Sequence, residues 1–214
     1  MKFPTHFSRN KKSRQVAAVP EQYRPAVRVD DVFSRVVREV APKRVLEVGT
    51  LQAVPGRSTH SMAKFPQLAK EDYVRLDIIG GPDVDVVGDL HSLPEGWTNK
   101  FDCFIAHAVF EHLERPWIAA REVARVLAPG GVFFVKTHQC FPIHGYPSDF
   151  FRFSDAALRL IFEDAGLFVD ACDYDYRCMI IPPEEVVPDS IVIDWNKQFP
   201  SYIHVSAVGH KPLQ

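Results

Sequence analysis

The stretch RVLEVGT, Arg44 to Thr50, is an apolar run that ends in Glu47, Val48 and Gly49. It reads as a buried parallel strand stopping at a ligand-binding turn, because open α/β sheets bind their ligands outside the carboxyl ends of the strands. Acids close the next two strand candidates as well: YVRLDI reaches Asp77, and VDVVGDLHSLP reaches Asp89. That arrangement suits a nucleoside. An aspartate after the second strand can accept both ribose hydroxyls, and another nearby can accept an exocyclic amine.

Around this centre, strand and helix patterns alternate. VDDVFSRVVREVAP places Val29, Val32, Phe33, Val36, Val37 and Val40 on one helical stripe, with Asp30 and Asp31 at its start and Pro42 beyond its end. FDCFIAHA, Phe101 to Ala108, is a fourth strand, and PWIAAREVARVLAPGG follows as a helix that Pro129 and Gly130 should stop. GVFFVKTHQ is a fifth strand. SDAALRLIFEDAG, Ser154 to Gly166, has a serine N-cap and a terminal glycine. LFVDACDYDYRCMII and YIHVSAVGHK are two more strands, separated by the proline-rich stretch 182–200 with no helix between them, so the last should run antiparallel. The pattern predicts a doubly wound, Rossmann-like α/β fold: a mostly parallel seven-stranded sheet with helices on both faces.

Composition narrows the function classes. With 214 residues and 46% hydrophobic content, the chain can bury one good core, here assigned to residues 27–214. Residues 1–26 are basic up to Glu21 and read as a flexible arm. A formal charge of −2 argues against nucleic acid as a partner. Cys103, Cys140, Cys172 and Cys178 show no Cys-x-x-Cys spacing and read as reduced thiols. No apolar run is long enough to cross a bilayer, and the expectation is a soluble, cytoplasmic protein. A nicotinamide-dependent dehydrogenase would want Gly-x-Gly-x-x-Gly after the first strand, and none stands there.

The order and spacing of these segments resemble the class I S-adenosylmethionine-dependent methyltransferases, in particular the type 11 methyltransferase-like group. AHAVFEHLERPWIAAREVARVLAPGG is similar to that family's fourth strand, Glu-His-Leu loop and following helix. HGYPSDFFRFS resembles a tract of a subset associated with sugar and surface-glycan pathways. The resemblance implies that S-adenosyl-L-methionine is bound by Glu47, Gly49, Thr50, Asp77, Ile78, Asp89, Leu90 and His107. It also implies methyl transfer to a small molecule, with a sugar or glycan hydroxyl as the leading acceptor. An alcohol needs its proton removed, which suits histidine near neutral pH. His112, His138 and His144 are the candidate catalytic bases. Glu111, Tyr146, Asp149 and Arg152 are the candidate substrate contacts.

The family usually shows glycines at alternate positions in the first turn, whereas this chain reads EVGTLQAVPGRSTH. Two readings follow: a loop that wraps the methionine end in its own way, or a non-catalytic methyltransferase-like binding or partner subunit. Pro66 should keep any helix after Arg57 short or irregular. His138, His144 and Asp149 match no metal-ligand spacing, and no metal is expected.

Overall fold

The computed structural model describes residues 21, 24–145, 147–181, 195–196 and 198–213. Ten main elements follow one another: α1 (Val29–Val40), β1 (Val45–Val48), β2 (Tyr73–Asp77), β3 (Val86–Val87), β4 (Phe101–His107), α2 (Pro116–Val126), β5 (Leu127–His138), α3 (Asp155–Asp164), β6 (Phe168–Cys178) and β7 (Ser201–His210). They form a seven-stranded sheet in the order β3-β2-β1-β4-β5-β7-β6, with β7 antiparallel to both neighbours. This is the architecture expected from the sequence. β1 is buried at all four positions, as a central strand covered on both faces must be.

Side-chain alternation sends the strands' apolar residues into two cores. On one face Val29, Phe33 and Val37 of α1 meet Val45, Cys103, Ile105, Val132 and Phe134, and Phe33 stacks on Phe134 at 4.6 Å. On the other, α2 and α3 bury Val123, Val126, Leu158 and Phe162 against Leu46, Phe104, Phe133 and Val135. α1 ends at Ala41, whose left-handed backbone returns its N–H to the Val37 carbonyl before Pro42. Ser154 caps α3 by accepting from the Ala157 N–H.

Two boundaries differ from expectation. α2 stops at Val126, short of Pro129, and the chain enters β5 directly at Leu127. The pairing with β4 then slips between Phe101 and Cys103, where Gly130 takes φ +75°. The turn residues are thus absorbed as an irregularity inside the strand. Between β1 and β2 the described chain forms no α-helix, only short 3₁₀ turns at Met62–Lys64 and Lys70–Asp72, as Pro66 led one to expect. The proposed arm lies almost wholly outside the described residues; its last residue, Ala26, donates its N–H to Asp173, as does Val27 at the start of the domain. Residues 182–194 of the proline-rich connection also lie outside.

Candidate active site

Parallel strands deliver their tips to one edge of the sheet, and two groups of side chains gather there. The first lies over β1, β2 and β3. Gly49 has φ +74°, and its N–H donates to the Leu76 carbonyl at 2.9 Å. A Cβ there would stand 2.3 Å from Cγ2 of Val109, so the turn needs glycine both for its backbone and for the close approach of the loop after β4. Thr50 is buried, its hydroxyl 3.5 Å from the same Leu76 carbonyl. Glu47 is also buried. The Ser61 N–H donates to both its oxygens, and the Tyr73 hydroxyl donates to Oε2 at 2.6 Å. Burial pushes its carboxyl up in spite of those donors. Its bonds run into the protein, where they fasten the returning loop.

Asp77 accepts the Leu51 N–H on Oδ2 and the Ile79 N–H on Oδ1. Beside it Ile78 and Ile79 are 50% and 48% exposed, an apolar shelf next to a carboxylate. Asp89 takes the His91 N–H and ring on Oδ1. Partial burial pushes it up, but those donors outweigh burial and hold it below its usual range. Leu90 is buried behind it. His107, at the end of β4, lies 3.4 Å from the Ser61 hydroxyl, and burial, with Lys64 and Lys136 nearby, pushes its ring down to about 4.

No local pattern signals the device that holds the loop 51–61 in place. Asp83, from the β2–β3 connection, accepts from Gln52 Nε2 at 2.7 Å, from the Ser58 hydroxyl, and from Arg75 Nη1 at 2.9 Å, with His60 3.7 Å away. Arg75 also forks onto Asp85. Polar residues scattered over two loops thus replace the missing helix.

The second group lies over β4 and β5. Glu111 is fully buried in the 3₁₀ turn Phe110–His112; the Thr137 hydroxyl donates to Oε2 at 2.7 Å, and His138 Nε2 stands 3.1 Å from Oε1. Burial pushes this carboxyl up, but His138 and Thr137 outweigh it and hold it below its usual range. His112 Nε2 is 4.0 Å from Oε1, while its Nδ1 meets the Ser148 carbonyl at 2.7 Å. The His144 ring crosses those of His112 and His138 at 4.8 and 5.4 Å. The antiparallel register adds a fourth ring, His204, opposite His138. Sequence reasoning missed His204 and Thr137; the alternation along the last strand pair was the available signal.

The three candidate bases and Glu111 are therefore brought together. Asp149 and Arg152 form a forked ion pair beside them, with Asp149 Oδ2 accepting the His144 N–H at 2.8 Å and standing 3.5 Å from His144 Nδ1, and with Arg152 also donating to the Phe141, Pro142 and Phe151 carbonyls. That pairing holds the Asp149 carboxyl well below the usual range, and the guanidinium is committed to tying the loop. Tyr146 lies outside the described residues. A cavity of about 400 Å³ opens alongside, between the start of α1 and β6–β7, lined by Asp30, Asp173, Asp175, Tyr176 and Tyr202.

The donor set of the first group fits S-adenosylmethionine over its adenosine half: a part-exposed acid for ribose, an aliphatic shelf, and a second acid with Oδ2 outside its His91 bonds. The methionine half is built differently, with buried Thr50 where a glycine is usual.

Residues 58–135 match the sequence profile of a family described as a methyltransferase domain. No match is found among functionally curated proteins. Among solved structures, the YcgJ protein of Bacillus subtilis is similar at TM-score 0.55 and 18% identity, covering 85% of this chain and 99% of that one. A Burkholderia thailandensis 1,6-didemethyltoxoflavin N1-methyltransferase, with 1,6-didemethyltoxoflavin and S-adenosylhomocysteine bound, aligns at TM-score 0.54 and 12% identity over 84% of this chain and 76% of that one. The [4+2]-cyclase SpnF is similar at TM-score 0.54 and 16% identity, over 86% and 82%. The profile match over residues 58–135 and the strand order agree: that part of the chain is similar to a methyltransferase domain, and the likeness to the solved structures shows a shared fold.

Proposed function

We propose that this chain methylates an oxygen of a small hydroxylated acceptor, with a sugar or glycan hydroxyl as the best match to its surroundings. The observation that carries the reading is the ring of histidines around buried Glu111 at the tips of β4 and β5, beside the crevice that fits the adenosine. Fold alone does not decide chemistry, since SpnF is a cyclase on a similar scaffold. The proton-handling groups favour transfer to an alcohol, which must lose its proton as it attacks.

Asp77 would hold the ribose hydroxyls, Ile78 and Ile79 would support the adenine, and Asp89 would accept its amine. Bound S-adenosylmethionine supplies a methyl carbon whose bond to the cationic sulfur breaks as the acceptor oxygen attacks, the electron pair leaving with sulfur. His112 is the base in this reading. Its Nδ1 is committed to the Ser148 carbonyl, which leaves the Nε2 lone pair to take the hydroxyl proton. Val109, three residues before it, is the side chain that touches the Gly49 turn. The cavity whose wall residues Asp175 and Tyr176 adjoin His204 gives the acceptor its approach.

Calorimetric titration with S-adenosylhomocysteine tests the cofactor half. Asp77→Ala should weaken binding by about 1–3 kcal/mol through loss of two hydroxyl bonds. His112→Gln should lower turnover on a panel of sugars while leaving that binding intact. Absence of any binding to the wild-type chain would instead favour a non-catalytic subunit.

A further inference from the structure

We propose that Glu111, His138 and His144 form a site for a divalent transition metal, with zinc as the ion. One ligating atom from each lies within 4.8 Å of the others, although the three residues come from the β4 loop, the end of β5 and the loop beyond it. Ligands about 2.0–2.2 Å from a tetrahedral zinc stand roughly 3.3 Å apart. Glu111 Oε1 and His138 Nε2, at 3.1 Å, already have that spacing, and closing a separation of up to 4.8 Å to His144 takes a shift of about 1.5 Å in a part-exposed loop side chain.

The polar bookkeeping points the same way. Glu111 is fully buried, and its Oε1, 3.1 Å from His138 Nε2, makes no hydrogen bond of acceptable geometry. Buried carboxylate oxygens are nearly always satisfied, and this one offers its lone pairs to a cation among the imidazoles. The surroundings also resemble the supporting contacts that orient metal ligands. Thr137 fixes the other carboxylate oxygen, and the Pro142 carbonyl lies 3.1 Å from His144 Nδ1, which leaves Nε2 as that ring's acceptor. Two histidines and one carboxylate leave coordination positions open, the composition of a catalytic site and not of a closed structural one.

The ion's role rests on the methyl-transfer reading, but its binding does not. Drawing electron density from the acceptor hydroxyl, the ion would ease proton loss to His112, which remains outside the ligand set.

The test uses the full chain, treated with a chelator, dialysed, and titrated with zinc chloride alone, with bound metal counted by elemental analysis. One zinc per chain is expected. His138→Ala and His144→Ala should each weaken binding by at least about tenfold, since even supporting contacts are worth that much. His210→Ala, paired with Asp170 away from the cluster, should not. His144→Ala removes a part-exposed loop side chain, so circular dichroism should show it folded. Failure of the wild-type chain to bind zinc, or wild-type affinity retained in both ligand variants, overturns the proposal. A separate titration with S-adenosylhomocysteine distinguishes the two readings: zinc binding without it upholds the metal site and sinks methyl transfer, while cofactor binding without zinc does the reverse.

Discussion

Replacing Gly49 by alanine should destabilise the fold by about 2–5 kcal/mol, a sum of two separable costs. The residue sits at φ +74°, and a side chain in left-handed backbone costs about 1–2 kcal/mol. The new methyl would also stand 2.3 Å from Val109 Cγ2, and Val109 is β-branched and stiff, so relief must come from backbone movement at about 1–3 kcal/mol. Urea denaturation reads the total as a lower midpoint at unchanged slope. The companion variant Val109→Ala separates the parts: combined with Gly49→Ala it should recover the clash and leave the backbone cost, giving a favourable coupling of about 1–3 kcal/mol. A single variant within about 0.5 kcal/mol of wild type would refute the reasoning, because surface-like tolerance is incompatible with both terms. So would strict additivity, since it would mean that the two loops do not touch.

Two further outcomes follow from the charged groups. Burial raises the Glu47 carboxyl above its ordinary 4.5, so that its contribution to stability is full below that value and is lost as pH rises through the folded pKa. The stability advantage of wild type over Glu47→Gln should accordingly shrink with rising pH across that window in urea melts, and an advantage that stayed level or grew would contradict the assignment. Asp83→Ala removes the acceptor shared by Gln52, Ser58 and Arg75; amide exchange across 51–61 should speed up while β1 and β4 keep their protection, and unchanged exchange in the loop would show that Asp83 does not hold it.

The sheet was legible because its signals are local. β1, β2 and β4 are apolar runs ending in a turn, and α1 and α3 carry stripes at helical spacing with capping residues at their ends. The pairing of β6 with β7 followed from the lack of a helix between them. The errors fell where tertiary contact overrides local pattern. Pro129 and Gly130 look like a helix stop, yet α2 ends at Val126 because Leu127 pairs with Phe101. β3 shrinks to Val86–Val87, the part of a longer apolar stretch that finds a partner in β2.

The site was legible in its residue types and not in its partnerships. That Glu47 faces the protein depends on Tyr73 and Ser61, 26 and 14 positions away. Arg152 looked free to meet an anion until Asp149, three residues back, took its fork. Spacing argued against a metal at His138 and His144, because ligand signatures describe ligands on one continuous element. Here the carboxyl edge of a parallel sheet does the gathering: Glu111 follows β4, His138 ends β5, and His144 returns over both. A sheet edge can assemble three donors whose spacing in the chain carries no regularity. Candidate ligands in such folds are therefore better sought by asking which residues follow adjacent strands than by counting positions between them.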